Sequence, residues 1–148
     1  MAAESVFLDT NVLVAISVQS HPSHASASAL VARLVSESVP LSISVQVCRE
    51  FLSVTTRQPL GATRALTSDE AVAALDYWRS ACVVLKEDAA VLAELLTLVR
   101  EYQVLGKQVH DANIVATMLA NGIGRLATLN FADFRRFEEE IAIEPLVS

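Results

Sequence analysis

The chain has 148 residues, with 53% apolar and 19% charged side chains and a formal net charge of −6 at pH 7. This length suits one domain with its own core, and this composition excludes a disordered chain or a charge-rich coiled coil. No run of about 18 apolar residues is present and no basic residue precedes Glu4, so neither a membrane span nor a signal peptide is expected.

In the first half of the chain, short apolar runs predict strands, and apolar residues at helical spacing predict helices. Pro40 separates a helix from the strand after it, and Pro59 lies in a predicted break at 58–61. The predicted order is strand 5–8, helix 11–18, helix 24–38, strand 41–44 and helix 45–56.

The second half begins with Thr67 and Glu70, which are spaced as a capping box at a helix start. Glu87 and Asp88 suit the first turn of a later helix, and Gly122 suits a helix C-terminus. The predicted order is helix 67–80, strand 81–85, a helix ending near residue 102, helix 110–121, strand 125–129 and strand 141–144.

Helical segments of about ten residues or more separate most of these strands, which requires crossover connections and therefore a parallel sheet. The predicted fold class is α/β, with a central parallel sheet of about five strands and helices on both faces. No repeat, linker or low-complexity segment interrupts the chain, so residues 1–148 are predicted to form a single domain.

The acidic net charge disfavours a protein that coats nucleic acid non-specifically, since such proteins are basic. It leaves open an enzyme that acts on nucleic acid, because acidic side chains can surround metal ions while a few arginines contact phosphates. Nine of the eleven basic residues are arginine, which fits such contacts and equally fits a GC-rich genome.

The cysteines and histidines show neither a zinc pattern nor a disulfide pattern. Cys48 and Cys82 lie in apolar runs, and His21 and His24 lie in a loop that has no Cys or Asp at ligand spacing. We therefore expect no structural zinc and no disulfide framework, and a reducing, cytoplasmic location fits the two cysteines.

Five side chains are candidates for chemistry, because the functional groups of an open α/β sheet collect at the carboxyl ends of its strands. Asp9 directly follows the first strand, and Glu50 lies in the helix after the second. Asp111 opens the helix before the fourth strand, which Asn130 and Asp133 follow. Three or four carboxylates at one place repel one another, and a hard divalent cation such as Mg²⁺ offsets the repulsion.

Glu50 has two interpretations. Val47 and Val54 lie beside it on the predicted helix, so its carboxylate borders an apolar face and needs a partner. That partner is either a metal ion or a neighbouring cation, Arg49 or Arg57.

Asp9, Asp111 and Asp133 also have structural alternatives. Asp9 suits a turn or a helix cap, Asp111 suits the positive end of a helix dipole, and Asp133 suits the cap of a short segment at 134–137. The argument for a metal site therefore rests on the set of residues and on no single member.

Four sequence blocks together resemble the PIN domain, in particular the VapC-type toxins of bacterial toxin–antitoxin pairs. The blocks are VFLDTNVL at 6–13, REF at 49–51, HDANIVA at 110–116 and ATLNFADF at 127–134. The motif LDTN alone is weak, whereas four blocks in the family's order are strong. The resemblance implies an endoribonuclease that depends on Mg²⁺ or Mn²⁺ and leaves a 5′-phosphate and a 3′-hydroxyl.

The resemblance also implies the site. Asp9, Glu50 and Asp111 match the family's three principal acidic positions, and the fourth position is either Asn130 or Asp133. One or two metal ions are expected on Asp9 and Asp111, with Glu50 and Asp133 binding directly or through water.

Further residues and the partners follow from the same resemblance. Thr10 and Thr128 match hydroxyl positions that line such sites, and Arg135 and Arg136 are expected either to contact the RNA backbone or to face solvent. The implied partners are an RNA substrate, either tRNA or rRNA, a small cognate antitoxin and a second copy of the chain in a homodimer.

Two other functions keep the same fold: a housekeeping PIN nuclease of RNA processing, and a catalytically silent PIN binding module. Only Asn130 favours the silent module, and the three carboxylates count against it. A phosphatase of the haloacid dehalogenase type also begins with Asp after a first strand, but it needs a second Asp where this chain has Asn11.

Overall fold

The structure, a computed structural model, describes residues 4–57, 59 and 64–146. Within these residues the strands are β1 Val6–Leu8, β2 Leu41–Ser44, β3 Val83–Leu85, β4 Arg125–Ala127 and β5 Ala142–Ile143. The helices are α1 Thr10–Ser17, α2 His24–Ser36, α3 Val45–Arg57, α4 Ser68–Ala81, α5 Ala89–Tyr102, α6 Gln108–Ala120 and α7 Phe131–Phe134, followed by a 3₁₀ helix at Arg135–Phe137. The predicted α/β class is confirmed.

The five strands form one parallel sheet in the order β3-β2-β1-β4-β5. β1 lies in the centre, where Val6 pairs with Leu41 of β2, and Leu8 pairs with Ala127 of β4. The chain winds from β1 toward one edge of the sheet and then returns to build the other edge, so the winding reverses between β1 and β4. Open α/β sheets form a crevice at such a point, beyond the carboxyl ends of the strands.

The core consists of the central strands and the helix faces that cover them. Val6, Phe7 and Leu8 of β1 are fully buried, as are Phe51 of α3 and Phe134 of α7. A parallel strand with both faces covered is apolar throughout, which explains the uninterrupted run VFL. None of the helices in the described part of the chain is long and apolar enough to cross a membrane.

Capping side chains set where two helices begin. Thr67 forms the predicted capping box, because its hydroxyl accepts from the backbone N–H of Glu70 and the Glu70 carboxylate accepts from the backbone N–H of Thr67. Asp88 caps α5 by accepting from two backbone N–H groups of its first turn. Glu87, expected in that turn, precedes the cap and instead accepts from the backbone N–H of Gln46 at 2.7 Å.

Several boundaries in the second half differ from the prediction. β4 ends at Ala127, two residues earlier than predicted, and the hydroxyl of the next residue, Thr128, donates to Asp9. α6 begins at Gln108, two residues early, and therefore has Asp111 in its first turn. Asp133 lies inside α7, so its predicted role as the cap of a segment at 134–137 is wrong. The predicted break at 58–61 lies outside the described residues, except for Pro59.

Candidate active site

A pocket opens beyond the carboxyl ends of β1 and β4. It has a volume of about 320 Å³ and is lined by Asp9, Thr10, Asn11, Val14, His21, Glu50, Val54, Asp111 and Asn130. At about 30 Å³ for each water molecule, this is room for roughly ten waters, or for a hydrated cation beside a phosphate group. The fold thus brings most of the predicted site residues to one place, whereas Thr128 and Asp133 lie outside the lining.

Asp9 is held at the pocket wall by neutral donors. It is the N-cap of α1 and is 8% exposed. Its Oδ1 accepts from the backbone N–H of Thr10 at 2.8 Å, and its Oδ2 accepts from the Thr128 hydroxyl at 2.8 Å and the Asn11 amide at 3.2 Å. None of these donors is charged, so they orient the carboxylate and leave its charge in place. Asp9 therefore caps α1, as its structural alternative predicted, and also lines the pocket.

Thr128 and Asn11 join the segments that follow β1 and β4. Thr128 is fully buried, and its hydroxyl oxygen accepts from the backbone N–H of Asn130 at 3.0 Å. The Asn11 carbonyl oxygen accepts from the backbone N–H of Leu129 at 3.0 Å. Thr128 therefore lies behind Asp9 and orients it, whereas the resemblance implied a hydroxyl that lines the site. For Asn11 the sequence indicated only the first residue of a helix.

Glu50 projects from α3, and other side chains bind both of its oxygens. Its Oε2 accepts from the Thr10 hydroxyl at 2.8 Å, and its Oε1 accepts from the Gln46 amide at 2.9 Å. Among the described residues no ion pair joins Glu50 to Arg49 or Arg57, both of which are exposed. The interpretation that pairs Glu50 with a neighbouring arginine is therefore wrong.

Gln46 is a residue that the sequence analysis did not single out. It is 3% exposed, and its amide nitrogen donates at 2.9 Å both to Glu50 and to the backbone carbonyl of His110. Its carbonyl oxygen accepts from Asn113 at 2.6 Å. Gln46 thus connects Glu50 to the first turn of α6, where Asp111 lies. Its spacing four residues before Glu50 was the available signal, since such residues share a helix face.

The acidic side chains raise one another's pKa values. Burial raises the pKa of Asp9 to about 6, the hydrogen bonds that it accepts oppose the rise, and the charges of Glu50 and Asp111 add to it. Burial also raises the pKa of Asp111 to about 6, and the charges of Asp133 and Glu50 add to that rise. Both groups are mostly ionised at neutral pH, so the pocket holds concentrated negative charge that a cation would offset.

Asn130 and Asp133, the two candidates for the fourth position, lie in contact with each other. Asn130 lines the pocket, and its amide nitrogen donates to Oδ2 of Asp133. The carbonyl oxygen of Asn130 is then its remaining polar atom, and Mg²⁺ accepts such oxygens as ligands. Asp133 is exposed and acts on the pocket through its charge and through Asn130.

The donor set fits a hard divalent cation. The polar lining is dominated by carboxylate, hydroxyl and amide oxygens, which Mg²⁺ prefers, and Mg²⁺ needs only one or two direct carboxylate ligands because it keeps several waters. In the described part of the chain, no three His, Cys, Asp or Glu side chains lie close enough to form a closed metal-binding group. The pocket therefore suits a partly hydrated ion and does not suit an all-protein cage.

His21 lines the pocket, although the sequence indicated no functional role for it. It comes from the loop between α1 and α2 and is half-buried. The spacing of nearby Cys and Asp residues indicated no ligand role for it, and no other local signal marks it. Its place in the lining depends on how this loop folds against the end of β1.

A family model described as the PIN domain matches residues 6–140 of this chain. Three solved structures with a similar fold are VapBC2 from Rickettsia felis bound to a promoter DNA fragment, DNA-bound VapBC from Salmonella typhimurium, and VapC20 from Mycobacterium tuberculosis, described as a sarcin-ricin loop cleaving toxin. No curated protein matches the sequence.

These likenesses span most of each chain at low identity. The Rickettsia structure has a TM-score of 0.70 at 18% identity, over 94% of this chain and 96% of its own. The Salmonella structure has a TM-score of 0.67 at 20% identity, over 95% of this chain and 97% of its own. The Mycobacterium structure has a TM-score of 0.61 at 22% identity, over 82% of this chain and 87% of its own. At these identities the likeness shows a shared fold. The family match covers most of the sequence and contains all four sequence blocks, so this chain belongs to the PIN domain family.

Proposed function

We propose that this chain is a divalent-metal-dependent endoribonuclease and the toxin of a VapBC-type toxin–antitoxin pair. The observation that carries the proposal is the pocket in which Asp9, Glu50 and Asp111 meet, because none of the described residues that line it is Arg or Lys. An acidic pocket without an internal counterion is suited to a cation that in turn holds a phosphodiester.

In this proposal the carboxylates of Asp9 and Asp111 bind Mg²⁺, or Mn²⁺ in its place, and Glu50 binds directly or through water. Asn130 contributes its carbonyl oxygen, and Asp133 adds negative charge behind it. When bound there, the ion would supply a water of lowered pKa and would neutralise the charge that develops on the phosphate during hydrolysis.

Neutral side chains hold the acidic groups in position. Thr128 donates to Asp9, while Thr10 and Gln46 donate to Glu50. Partners of this kind typically change metal affinity or activity by about 10–100-fold when they are removed. We therefore assign Thr10, Thr128 and Gln46 to positioning the acidic residues.

The proposed substrate is a tRNA or an rRNA, cut to leave a 5′-phosphate and a 3′-hydroxyl. Membership of the PIN domain family supports a nuclease, and VapC20, which shares the fold, is described as cleaving the sarcin-ricin loop. Sequence-specific recognition of RNA usually targets single-stranded loops, whose bases are free to be read. We expect a cut in a loop for the same reason.

The proposed partners are a cognate antitoxin and a second copy of the chain, all in the cytoplasm. Structures of toxin–antitoxin complexes share this fold, and the net charge of −6 favours a basic antitoxin segment. For the homodimer, the edge strand β3 exposes Val83 by 62% and Val84 by 38%. An exposed apolar edge strand is suited to covering by another chain.

The test is cleavage of end-labelled total tRNA and rRNA by purified, antitoxin-free protein in Mg²⁺ or Mn²⁺. Asp9→Asn is the principal variant, and Asp76→Asn is its matched control, because Asp76 lies on the exposed face of α4 in an ion pair with Arg79. We expect cleavage by the wild-type chain and by Asp76→Asn. We expect the rate of cleavage by Asp9→Asn to be lower by about 10³-fold, equivalent to several kcal/mol of transition-state stabilisation. We expect no cleavage by the wild-type chain in EDTA.

Three outcomes would contradict the proposal. Equal cleavage by Asp9→Asn, or cleavage that persists in EDTA, would assign the activity to another site or to a contaminant. No cleavage by a folded protein in Mg²⁺ or Mn²⁺ would favour a silent binding module, the alternative that Asn130 supports. A toxin should arrest growth when expressed alone, and co-expression of the protein encoded upstream, as its antitoxin, should relieve the arrest. A housekeeping nuclease should show neither effect.

A further inference from the structure

His21 is a fixed part of the pocket wall. Its backbone N–H donates to the carbonyl of Val18 at 2.9 Å, and its Nδ1 accepts from the backbone N–H of Ser23 at 3.0 Å. The ring is half-buried and lines the same pocket as Asp9 and Glu50. The loop therefore fixes the backbone of His21 through Val18 and its imidazole through Ser23.

The contact with Ser23 decides which ring nitrogen carries the proton. Because Nδ1 accepts a hydrogen bond, the neutral ring has its proton on Nε2. Over the described residues, the Nε2–H of His21 has no acceptor within the protein. An N–H donor without a protein partner at the wall of an open pocket is available to a ligand.

The rest of the pocket lining offers few free donors. The carboxylates only accept, and the other polar side chains have already donated some or all of their hydrogens. These donations run from Thr10 to Glu50, from Asn11 to Asp9 and Thr128, and from Asn130 to Asp133. Among the described lining residues, the Nε2–H of His21 is therefore one of the few side-chain donors without a protein partner, beside the second amide hydrogen of Asn130.

A strand of RNA that enters this pocket brings a negative charge on every phosphate toward three carboxylates. Phosphates that flank the reacting one need donors of their own, and such contacts set the position of the strand. We propose that His21 is a substrate-binding residue whose Nε2–H donates to a phosphate oxygen of the bound RNA. This inference rests on the proposed nuclease function, since it concerns the substrate of the same pocket.

Two substitutions separate this role from a purely structural one. His21→Asn places a carbonyl oxygen near the Nδ1 position, so it keeps an acceptor for Ser23 and removes the Nε2 donor. His21→Gln places an amide N–H near the Nε2 position and loses the acceptor for Ser23. A structural role of His21 in its loop predicts that the Gln variant is the impaired one, whereas RNA binding predicts that the Asn variant is.

The measurements are KM and kcat for an RNA that the wild-type chain cleaves, together with the melting temperature of each variant. Gln19→Ala is the control, because Gln19 is exposed in the same loop. We expect His21→Asn to raise KM by about tenfold at nearly constant kcat, which is the weight of one hydrogen bond to a charged acceptor. We expect His21→Gln to restore KM to within about threefold of wild type.

A wild-type KM in His21→Asn, or impairment in His21→Gln alone, would overturn the proposal. If the wild-type chain cleaves no RNA, the nuclease function fails by itself, and fluorescence anisotropy with labelled total tRNA then tests His21. Weaker binding by His21→Asn than by wild type supports the proposal in that case, and equal binding overturns it.

Discussion

Two buried carboxylates of this protein have opposite electrostatic surroundings. Glu144 follows β5, is 6% exposed and lies between Arg33 and Arg125. Burial raises its pKa, but the hydrogen bonds and charges of the two guanidinium groups outweigh burial and hold the pKa below its usual range. Asp9 is as deeply buried, but it has neutral donors and acidic neighbours, and burial raises its pKa to about 6.

The difference shows where the chain balances charge for itself and where it does not. At Glu144, arginines from α2 and β4 neutralise the carboxylate, and the result ties the last strand to the rest of the fold. At Asp9 the neighbouring donors orient the carboxylate but do not neutralise its charge. A buried charge that the protein orients without neutralising it is a candidate ligand site, and we proposed above that a cation supplies the missing charge at Asp9.

Removing the neutralised carboxylate has the largest expected effect on stability. Glu144→Gln leaves Arg33 and Arg125 without their acceptor, and we expect the free energy of unfolding at pH 7 to fall by about 3 kcal/mol, measured by urea denaturation. The loss should shrink as the pH falls, because a carboxyl with a lowered folded pKa stabilises the protein only while it is ionised.

Glu37→Gln is the matched control for Glu144→Gln. Glu37 contacts the same Arg33 at 3.6 Å, but its side chain is 50% exposed. We expect a change below about 0.5 kcal/mol, as for other exposed ion pairs. Similar losses of unfolding free energy in the two variants would show that Glu144 contributes no more to stability than an exposed ion pair does.

Removing a negative charge from the pocket should stabilise the protein, which is the opposite of the effect expected for Glu144→Gln. The pKa of Asp111 is about 6 in the folded protein and 3.8 by reference, so the folded state holds the proton more tightly. Stability therefore falls as the pH rises from about 4 to about 6 and stays lower above that range. In EDTA at pH 7.5 we expect Asp111→Asn to raise the free energy of unfolding by about 2 kcal/mol, after allowance for partial exposure.

The Asp111→Asn comparison is made by urea denaturation at pH 7.5 and at pH 4. The gain should nearly vanish at pH 4, where the wild-type Asp111 is largely protonated in the folded state. Asp76→Asn, on an exposed helix face, should show no such pH dependence. Destabilisation by Asp111→Asn at pH 7.5 would mean that the pocket already compensates its own charge.

Binding of a divalent cation should stabilise the folded protein by a smaller amount. It should also reduce the difference in charge balance between Asp9 and Glu144. Mg²⁺ at ten times its Kd is expected to raise the free energy of unfolding by about 1.4 kcal/mol at pH 7.5. Because Asp9 and Asp111 have pKa values of about 6, protons compete with the ion and the effect should fade below pH 6. Thermal unfolding in MgCl₂, against NaCl of equal ionic strength, measures it. An equal shift of the melting temperature in Asp111→Asn would show that MgCl₂ acts through a general salt effect and not through binding in the pocket.

Local sequence was sufficient for most of the architecture. β2 was predicted at its observed bounds, Leu41–Ser44, where Leu41 and Ile43 alternate with serines directly after Pro40. The capping box of Thr67 and Glu70 was predicted because both of its hydrogen bonds lie within one turn. Asp88 and Glu87 were not distinguished, since only the long-range contact with Gln46 places Glu87 outside the helix.

The sequence by itself determined the order of strands and helices, the parallel sheet that brings strand ends together, and three acidic residues that line the pocket, Asp9, Glu50 and Asp111. Only the tertiary structure decided how those residues are held. Thr10 and Glu50 lie 40 residues apart in sequence, and Asn11 and Leu129 lie 118 apart, yet each pair is joined by a hydrogen bond. His21 and Gln46 entered the site in the same way. Periodicity and motif spacing record contacts within one element, whereas these contacts exist only because β1 pairs with β4 and α3 packs beside α1.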